Sequence, residues 1–150
     1  MKLKNKIIIV TGGSGLLGSE IISCLNENDA TVVNFEINAK TSDDLKVINC
    51  DITNQDSVKS AIRLVIKRYG KIDGLVNNAY PRTLDWGNIF EDIAYDSWKL
   101  NVDFQLNSCF YMSQQVSKHM VKQQSGSIIN MASIYGSVGP DFTLYDNTKM

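Results

Sequence analysis

Lys6-Ile7-Ile8-Ile9-Val10-Thr11-Gly12-Gly13-Ser14-Gly15-Leu16-Leu17-Gly18 is a short apolar run that enters a glycine loop. Helix-forming residues follow at once, from Ser19 to Leu25. Gly13-Ser14-Gly15-Leu16-Leu17-Gly18 fits the pattern G-x-G-x-x-G in the strand–turn–helix setting that a dinucleotide-binding fingerprint requires. One glycine permits the tight turn, a second lets the backbone approach a pyrophosphate, and the third lets helix and strand pack closely. The helix N-terminus then offers unpaired N–H groups and a positive dipole end to the phosphates. An ordinary strand-to-helix turn carries similar glycines, so the neighbouring segments have to decide.

The next strand decides for a nucleotide. Ala30-Thr31-Val32-Val33-Asn34-Phe35-Glu36 is a β-branched run that ends in an acid, 18 residues beyond Gly18. A carboxylate at the end of a second strand can accept both ribose hydroxyls of NAD. It also repels the 2′-phosphate of NADP. No arginine stands beside Glu36, although Lys40 lies close in sequence. NAD is the expected cofactor.

Length and charge bound the rest. At 150 residues the chain has the size of one domain and can bury a core. Its net charge of −1, without a basic block, argues against nucleic acid or an anionic membrane surface as a partner. The apolar run before Thr11 is only four residues long, too short for a secretory signal or a spanning helix. Cys24, Cys50 and Cys109 are odd in number and widely spaced. They read as reduced, buried small hydrophobes of a cytoplasmic protein. No metal-ligand spacing occurs, and His119 reads as a surface residue.

Strand-like and helix-like segments alternate along the chain without a linker or repeat. Strands are expected at Ile7–Val10, Thr31–Phe35, Leu45–Cys50, Lys71–Val76 and Ser127–Met131. Helices are expected at Leu17–Asn26, Asp56–Tyr69 and Ser97–Lys122, and residues from Ser133 onward read as loop. Val58, Ala61, Ile62, Val65 and Ile66 share one face of the second helix. This order predicts an α/β fold, a Rossmann-type doubly wound parallel sheet in three αβα layers, over residues 1–150 as a single NAD-binding domain. Ligands of such sheets bind outside the carboxyl ends of the strands. Gly12–Gly18, Glu36, Asp51, Asn77-Asn78-Ala79 and Ser133 all fall there.

With these segments in place the chain resembles a short-chain dehydrogenase/reductase over essentially its whole length. Thr11-Gly12-Gly13-Ser14-Gly15-Leu16-Leu17-Gly18 is similar to the family's first loop, in the T-G-x-x-G-x-x-G form commoner among nucleotide-sugar epimerases and dehydratases. The commoner T-G-x-x-x-G-x-G form would have glycine at Leu16. Asp51-Ile52 resembles the pair that lies against the adenine. Asn77-Asn78-Ala79 resembles the N-N-A-G motif, with Tyr80 replacing its glycine. Asn101 matches a helix asparagine that supports a proton-relay water, and Ser133, in Asn130-Met131-Ala132-Ser133-Ile134-Tyr135-Gly136, takes the place of the catalytic serine.

The resemblance implies an NAD(P)-dependent oxidoreductase that moves hydride to or from a hydroxyl or carbonyl carbon, with a sugar or nucleotide sugar as candidate substrate. Ser133 and Asn101 are the implied catalytic residues. Gly12, Ser14, Gly15, Leu17, Gly18, Glu36, Asp51, Ile52, Asn78 and Ala79 are the implied cofactor residues. In the family a tyrosine acts as acid–base, and a lysine four residues on lowers its pKa and holds the cofactor ribose. Tyr145-Asp146-Asn147-Thr148-Lys149 has that spacing, but it lies 12 residues past Ser133, one fewer than usual, and in a turn-rich stretch.

Asn77-Asn78-Ala79-Tyr80-Pro81-Arg82 and Ala132–Gly136 resemble more closely a subgroup of flagellin-modification and sugar-modifying oxidoreductases. There a short insertion separates the serine from the true tyrosine–lysine pair. That pattern makes Tyr145 and Lys149 a decoy and expects the true pair past Met150, in a C-terminal part of the fold missing from these residues. It also expects Ser127–Met131 to be an uncovered, apolar and poorly soluble edge.

A small-molecule substrate and a homo-oligomer of the full-length protein are implied as well. Phe104, Phe110, Tyr111 and Met112 are candidates for the oligomer face. Trp86, Phe90, Tyr95 and Trp98 read as packing residues, and Arg82 as a residue that could meet an anionic substrate. Two other readings remain open. One is an epimerase or dehydratase with tightly held NAD; the other is a truncated, non-catalytic NAD-binding fragment.

Overall fold

The computed structural model describes residues 2–139 and 141–145. Five parallel strands form one sheet: β1 (Ile7–Thr11), β2 (Thr31–Glu36), β3 (Val47–Asn49), β4 (Gly74–Asn77) and β5 (Ser127–Asn130). Their order across the sheet is β3-β2-β1-β4-β5, the doubly wound arrangement that reverses direction beside β1. β1 pairs with β2 from Ile7↔Thr31 to Thr11↔Phe35, and with β4 from Ile8↔Gly74 to Val10↔Val76. The helices are α1 (Leu16–Glu27), α2 (Gln55–Tyr69), α3 (Tyr95–Val102) and α4 (Ser108–Lys122).

The unbroken Ile7–Val10 run follows from burial on both faces, as expected for the centre of a parallel sheet. Ile7 and Ile9 point into a core with Val33, Phe35, Ile48 and Leu75, against Val58, Ala61, Ile62 and Val65 of α2 and Met112 and Val116 of α4. Ile8 and Val10 point the other way, with Val32 and Val76, against Ile21, Ile22 and Leu25 of α1. Helices therefore cover both faces, and the αβα layering is present.

α2 shows how sequence sets an element's limits. The Asn54 side chain accepts hydrogen bonds from the Asp56 and Ser57 N–H groups, both at 3.0 Å, and so caps its start. Gly70 ends it at φ +76°, a left-handed conformation that glycine adopts without a Cβ penalty.

Several boundaries differ from the sequence reading. β3 shrinks to Val47–Asn49 because Leu45 turns into the left-handed region at φ +56°. β4 starts at Gly74 rather than Lys71. The expected Ser97–Lys122 helix starts earlier, at Tyr95, and is divided by a π-helical segment, Asp103–Asn107, between α3 and α4. Ile134–Gly136 and Phe142–Tyr145 form short 3₁₀ turns where loop was expected.

Burial departs from expectation as well. Cys24 is exposed, on the outer side of α1; Cys50 alone of the three cysteines is fully buried, and Cys109 is half-buried. His119 is half-buried rather than on the surface. Phe90, Tyr95 and Trp98 were expected to anchor the loop, yet all three are exposed. β5 forms an edge of the described sheet, and its Ile129 is 53% exposed.

Asp73 ties the sheet's amino ends together. Its carboxylate accepts from Lys71 Nζ at 2.8 Å, Ile7 N–H at 2.9 Å and Lys6 Nζ at 3.2 Å. Burial alone would raise its pKa, but the hydrogen bonds from Lys71, Ile7 and Lys6 outweigh it and hold the carboxyl below the usual carboxylate range. A depressed folded-state pKa gives stabilisation that is complete above the unfolded value, about 3.9, and lost as pH falls through the folded value. Asp73→Asn is therefore expected to lower the melting temperature at neutral pH and to flatten its decline below about pH 4. An acid limb with unchanged slope in the variant would show that Asp73 is not the group responsible.

Candidate functional site

The carboxyl ends of β1, β2 and β4 open onto a cleft of about 1090 Å³. Gly12, Ser14, Gly15, Leu17, Gly18, Glu36, Asp51, Ile52, Asn78 and Ala79 all line it. The sequence named each of these ten as a cofactor residue. Phe35, Cys50, Tyr80, Pro81, Arg82 and Phe104 complete much of the wall.

The loop after β1 is built from both neighbouring strands. Thr11 is fully buried, and its hydroxyl accepts from the Asn78 and Ala79 N–H groups, each at 3.0 Å. Asn78 Nδ2 returns the bond to the Thr11 and Gly12 carbonyl oxygens, at 3.1 and 3.0 Å. The side chain of Asn78 thus fastens the loop to the end of β4. Gly12 sits at φ +65°, and a Cβ there would lie 2.9 Å from Ala79 Cα. Only glycine meets both demands.

From the other side, β2 takes the N–H groups of Gly12, Gly13 and Ser14, the first through the Phe35 carbonyl oxygen at 2.9 Å. Asn34 Oδ1 accepts from Gly13 N–H at 2.8 Å, and Glu36 Oε2 accepts from Ser14 N–H at 3.2 Å. Gly15 is the N-cap of α1 and offers no side chain to its first turn, which also contains no acidic residue. The N–H groups at the start of α1 therefore face the cleft without a side-chain acceptor, with the positive end of the helix dipole behind them. A Cβ on Gly15 would meet only the Gly12 carbonyl oxygen, at 3.4 Å, so this glycine borders open space. Backbone donors, an acid after β2 and a bare loop surface fit a dinucleotide pyrophosphate and its ribose.

Beyond β3 the wall is shaped by Asp51 and Ile52. Asp51 Oδ1 accepts from Thr53 N–H and Oγ1, at 2.9 and 2.7 Å, which fixes the turn that follows. Ile52 is buried and supplies an apolar surface. Cys50 beside them has a thiol pushed up to about 11, first by burial and also by the neighbouring Asp51 charge, with a Ser57 hydrogen bond opposing. It stays protonated and chemically quiet.

At the opposite end stand Tyr80, Pro81, Arg82 and Phe104. The Tyr80 ring meets Trp86 edge-on at a centroid distance of 5.9 Å. Burial raises the Tyr80 pKa, against opposing effects of Gln105, Arg82 and Trp86, so its phenol remains a neutral donor at physiological pH. Arg82 is the only positively charged residue among the described residues lining the cleft.

The two residues proposed for catalysis stand apart from this wall. Asn101 is 2% exposed, and its side chain is engaged with the chain after β4. Its Oδ1 accepts from Thr83 N–H at 3.0 Å, and its Nδ2 donates to Thr83 Oγ1 at 2.6 Å and to Ser97 O at 3.1 Å. It therefore anchors the segment that carries Arg82. Ser133 is exposed past the end of β5, and its Oγ accepts from Tyr135 N–H at 3.2 Å, capping the Ile134–Gly136 turn. Tyr145 ends the second 3₁₀ turn, and Lys149 lies outside the described residues. Sequence reasoning missed Asn34, which is buried in the middle of β2. A polar side chain within an otherwise apolar run was the available signal.

Among the described residues, no group of three or more His, Cys, Asp or Glu is placed to hold a metal ion. No described helix is long and apolar enough to cross a membrane.

Comparison with known proteins follows the same lines. The family model for short chain dehydrogenases matches residues 6–150. The chain is 34% identical to post-translational flagellin modification protein A of Campylobacter coli, over 99% of this chain and 63% of that protein. It is 33% identical to sorbitol-6-phosphate 2-dehydrogenase of Klebsiella pneumoniae, over 94% of this chain and 57% of that protein. Among solved structures, the NAD+-bound short chain dehydrogenase of Leptospira borgpetersenii superposes with a TM-score of 0.82 at 27% identity, covering 95% of this chain and 57% of that one. Ligand-free aldohexose dehydrogenase of Thermoplasma acidophilum gives 0.81 at 31% identity, covering 93% and 54%. The chain thus spans about six-tenths of the length of these relatives.

Proposed function

This chain belongs to the short chain dehydrogenase family, and from that premise we propose that it binds NAD in the cleft and serves an oxidoreductase acting on a hydroxyl or carbonyl carbon. The observation that carries this reading is the loop after β1. Gly15 caps the start of α1 without a side chain, and Glu36 lines the cleft at the end of β2, which supports a pyrophosphate at the helix start and a ribose beside the carboxylate. Bound there, NAD supplies the hydride acceptor or donor.

The protein's own contribution is position and field. The start of α1 binds the pyrophosphate, Glu36 orients the ribose, and Asp51 and Ile52 flank the adenine. The remaining length of the cofactor then runs towards Tyr80, Arg82 and Phe104, which makes that end the place of the substrate. Ser133 is assigned to donate a hydrogen bond to the substrate oxygen as negative charge develops on it. Asn101 holds the Thr83 backbone and, through it, the loop beside the substrate. Arg82 suits a carboxylate or phosphate on that substrate, in keeping with a sugar acid or sugar phosphate. Relatives named for sorbitol 6-phosphate and for aldohexoses support a sugar as the substrate class.

The three cysteines are free thiols, which supports action in the reducing cytoplasm. Val102, Leu106 and Phe110 are exposed along the α3–α4 side and support self-association there. Met112, in contrast, is fully buried and belongs to the core.

The T-G-x-x-G-x-x-G loop spacing favours one second reading, an epimerase or dehydratase that keeps its NAD. Titration with NADH, followed by energy transfer from Trp86 and Trp98, tests the common part: saturable one-site binding is expected, and none at millimolar NADH would refute it. Cofactor retained through purification, with turnover but no net NADH, would favour the second reading. Ser133→Ala is expected to leave NADH affinity unchanged and to reduce turnover about a hundredfold, the scale of one lost oxyanion donor.

A further inference from the structure

We infer that Asn34 sets the direction of the Ser14 hydroxyl, making Ser14 a hydrogen-bond donor to an anionic group in the cleft. Asn34 is 7% exposed, sits in the middle of β2, and reaches the loop with both ends of its amide. The Gly13 N–H, 2.8 Å away, can only donate, so the amide atom facing it is the oxygen. The other end is then an NH₂ group, and it faces Ser14 Oγ at 3.3 Å. An amide NH₂ only donates. Ser14 Oγ must therefore accept, and its own proton has to point elsewhere. Ser14 is exposed and lines the cleft, so the side open to that proton is the cleft itself.

The surroundings enforce the arrangement. A Cβ on Gly13 would lie 2.6 Å from Asn34 Oδ1 and would also strike Ile22 Cδ1, so amide and loop are in close contact. Glu36 occupies the Ser14 N–H at 3.2 Å, which leaves the hydroxyl as the residue's remaining donor. Aspartate at position 34 has the same shape and keeps the Gly13 bond, but offers only acceptors. It would draw the Ser14 proton inward and place a negative charge beneath the loop. The choice of amide over acid thus reverses the polarity of a hydroxyl one residue further towards the ligand. Asn34 acts through Ser14 and is a positioning residue.

This inference rests on the dinucleotide reading of the cleft, and NADH is the probe that tests it. A hydrogen bond to a charged group contributes about 1.5–3 kcal/mol, so losing one weakens binding about tenfold or more. Ser14→Ala and Asn34→Asp are each expected to weaken NADH binding by at least about tenfold. Both should melt within a few degrees of the unmodified protein, because the Gly13 bond survives in each. In the Ser14→Ala background, Asn34→Asp is expected to weaken binding clearly less than it does alone, because the part that runs through the hydroxyl is already gone and only the effect of its charge on the ligand remains.

Full additivity of the two substitutions would overturn the inference, as would unchanged NADH affinity in Ser14→Ala. The Ser14→Ala result stands by itself if Asn34→Asp does not fold. A folded, unmodified protein that fails to bind NADH would instead remove the dinucleotide reading, and the role of Asn34 with it.

Discussion

Gly18→Ala is expected to abolish measurable NADH binding and to destabilise the fold by about 3 kcal/mol, the upper range for overpacking. A Cβ at this position would overlap the Gly12 carbonyl oxygen and lie 2.7 Å from Gly13 Cα and 2.9 Å from Asn78 Nδ2. Two of these neighbours are backbone and cannot swing aside. The third, Asn78 Nδ2, holds the Thr11 and Gly12 carbonyl oxygens, so displacing it releases the loop from β4. Gly15→Ala is the informative partner. Its Cβ meets only the Gly12 carbonyl oxygen at 3.4 Å, so the fold should tolerate it and any loss should appear in NADH affinity alone. Thermal melts and NADH titrations of the two variants check this. Normal binding by Gly18→Ala would mean that the loop does not need the close approach described above.

Glu36→Gln is expected to narrow the preference for NAD+ over NADP+ from about a hundredfold to within about tenfold. A carboxylate facing a phosphate at about 4 Å is opposed by a few kcal/mol at an effective dielectric of about 20. A difference of about 2.7 kcal/mol corresponds to a hundredfold. Glutamine keeps the length of the side chain and an oxygen for the Ser14 N–H, which Glu36 now binds at 3.2 Å. It removes the charge without removing the loop contact. Dissociation constants for both cofactors, with and without the substitution, decide the matter. An unmodified protein that prefers NADP+ would refute the assignment of Glu36.

What the sequence made legible follows from how directly each residue reports its neighbours. The Ile7–Val10 run announces burial on both faces, and α2 carries its cap, its apolar face and its terminal glycine in local order. The residues that line the cleft were legible because the glycine fingerprint and the strand-end positions are local patterns too. The division of α3 from α4 was not, since the π segment falls in a stretch with no glycine or proline to mark a break. Asn34 was hidden because its partners, Gly13 and Ser14, lie 21 and 20 residues away. The exposure of Phe90, Tyr95 and Trp98 was hidden for the opposite reason. Aromatic residues signal burial, and nothing nearby in sequence tells whether a partner surface is present. The catalytic roles of Ser133 and Asn101 come from resemblance, and the contacts they make in this structure are with Tyr135 N–H and with Thr83 and Ser97.

The stitch between Thr11 and Asn78 joins residues 67 positions apart. During synthesis, β1 and its glycine loop emerge long before the residues that fasten them. The loop therefore waits, without its partner, until the end of β4 has left the ribosome. Early contacts along the chain cannot build the cleft, and loop closure over this distance precedes any gain from pairing. Cofactor present in the cell would then act late in biogenesis, selecting chains in which β1 and β4 have already met and drawing the folding equilibrium towards them by mass action.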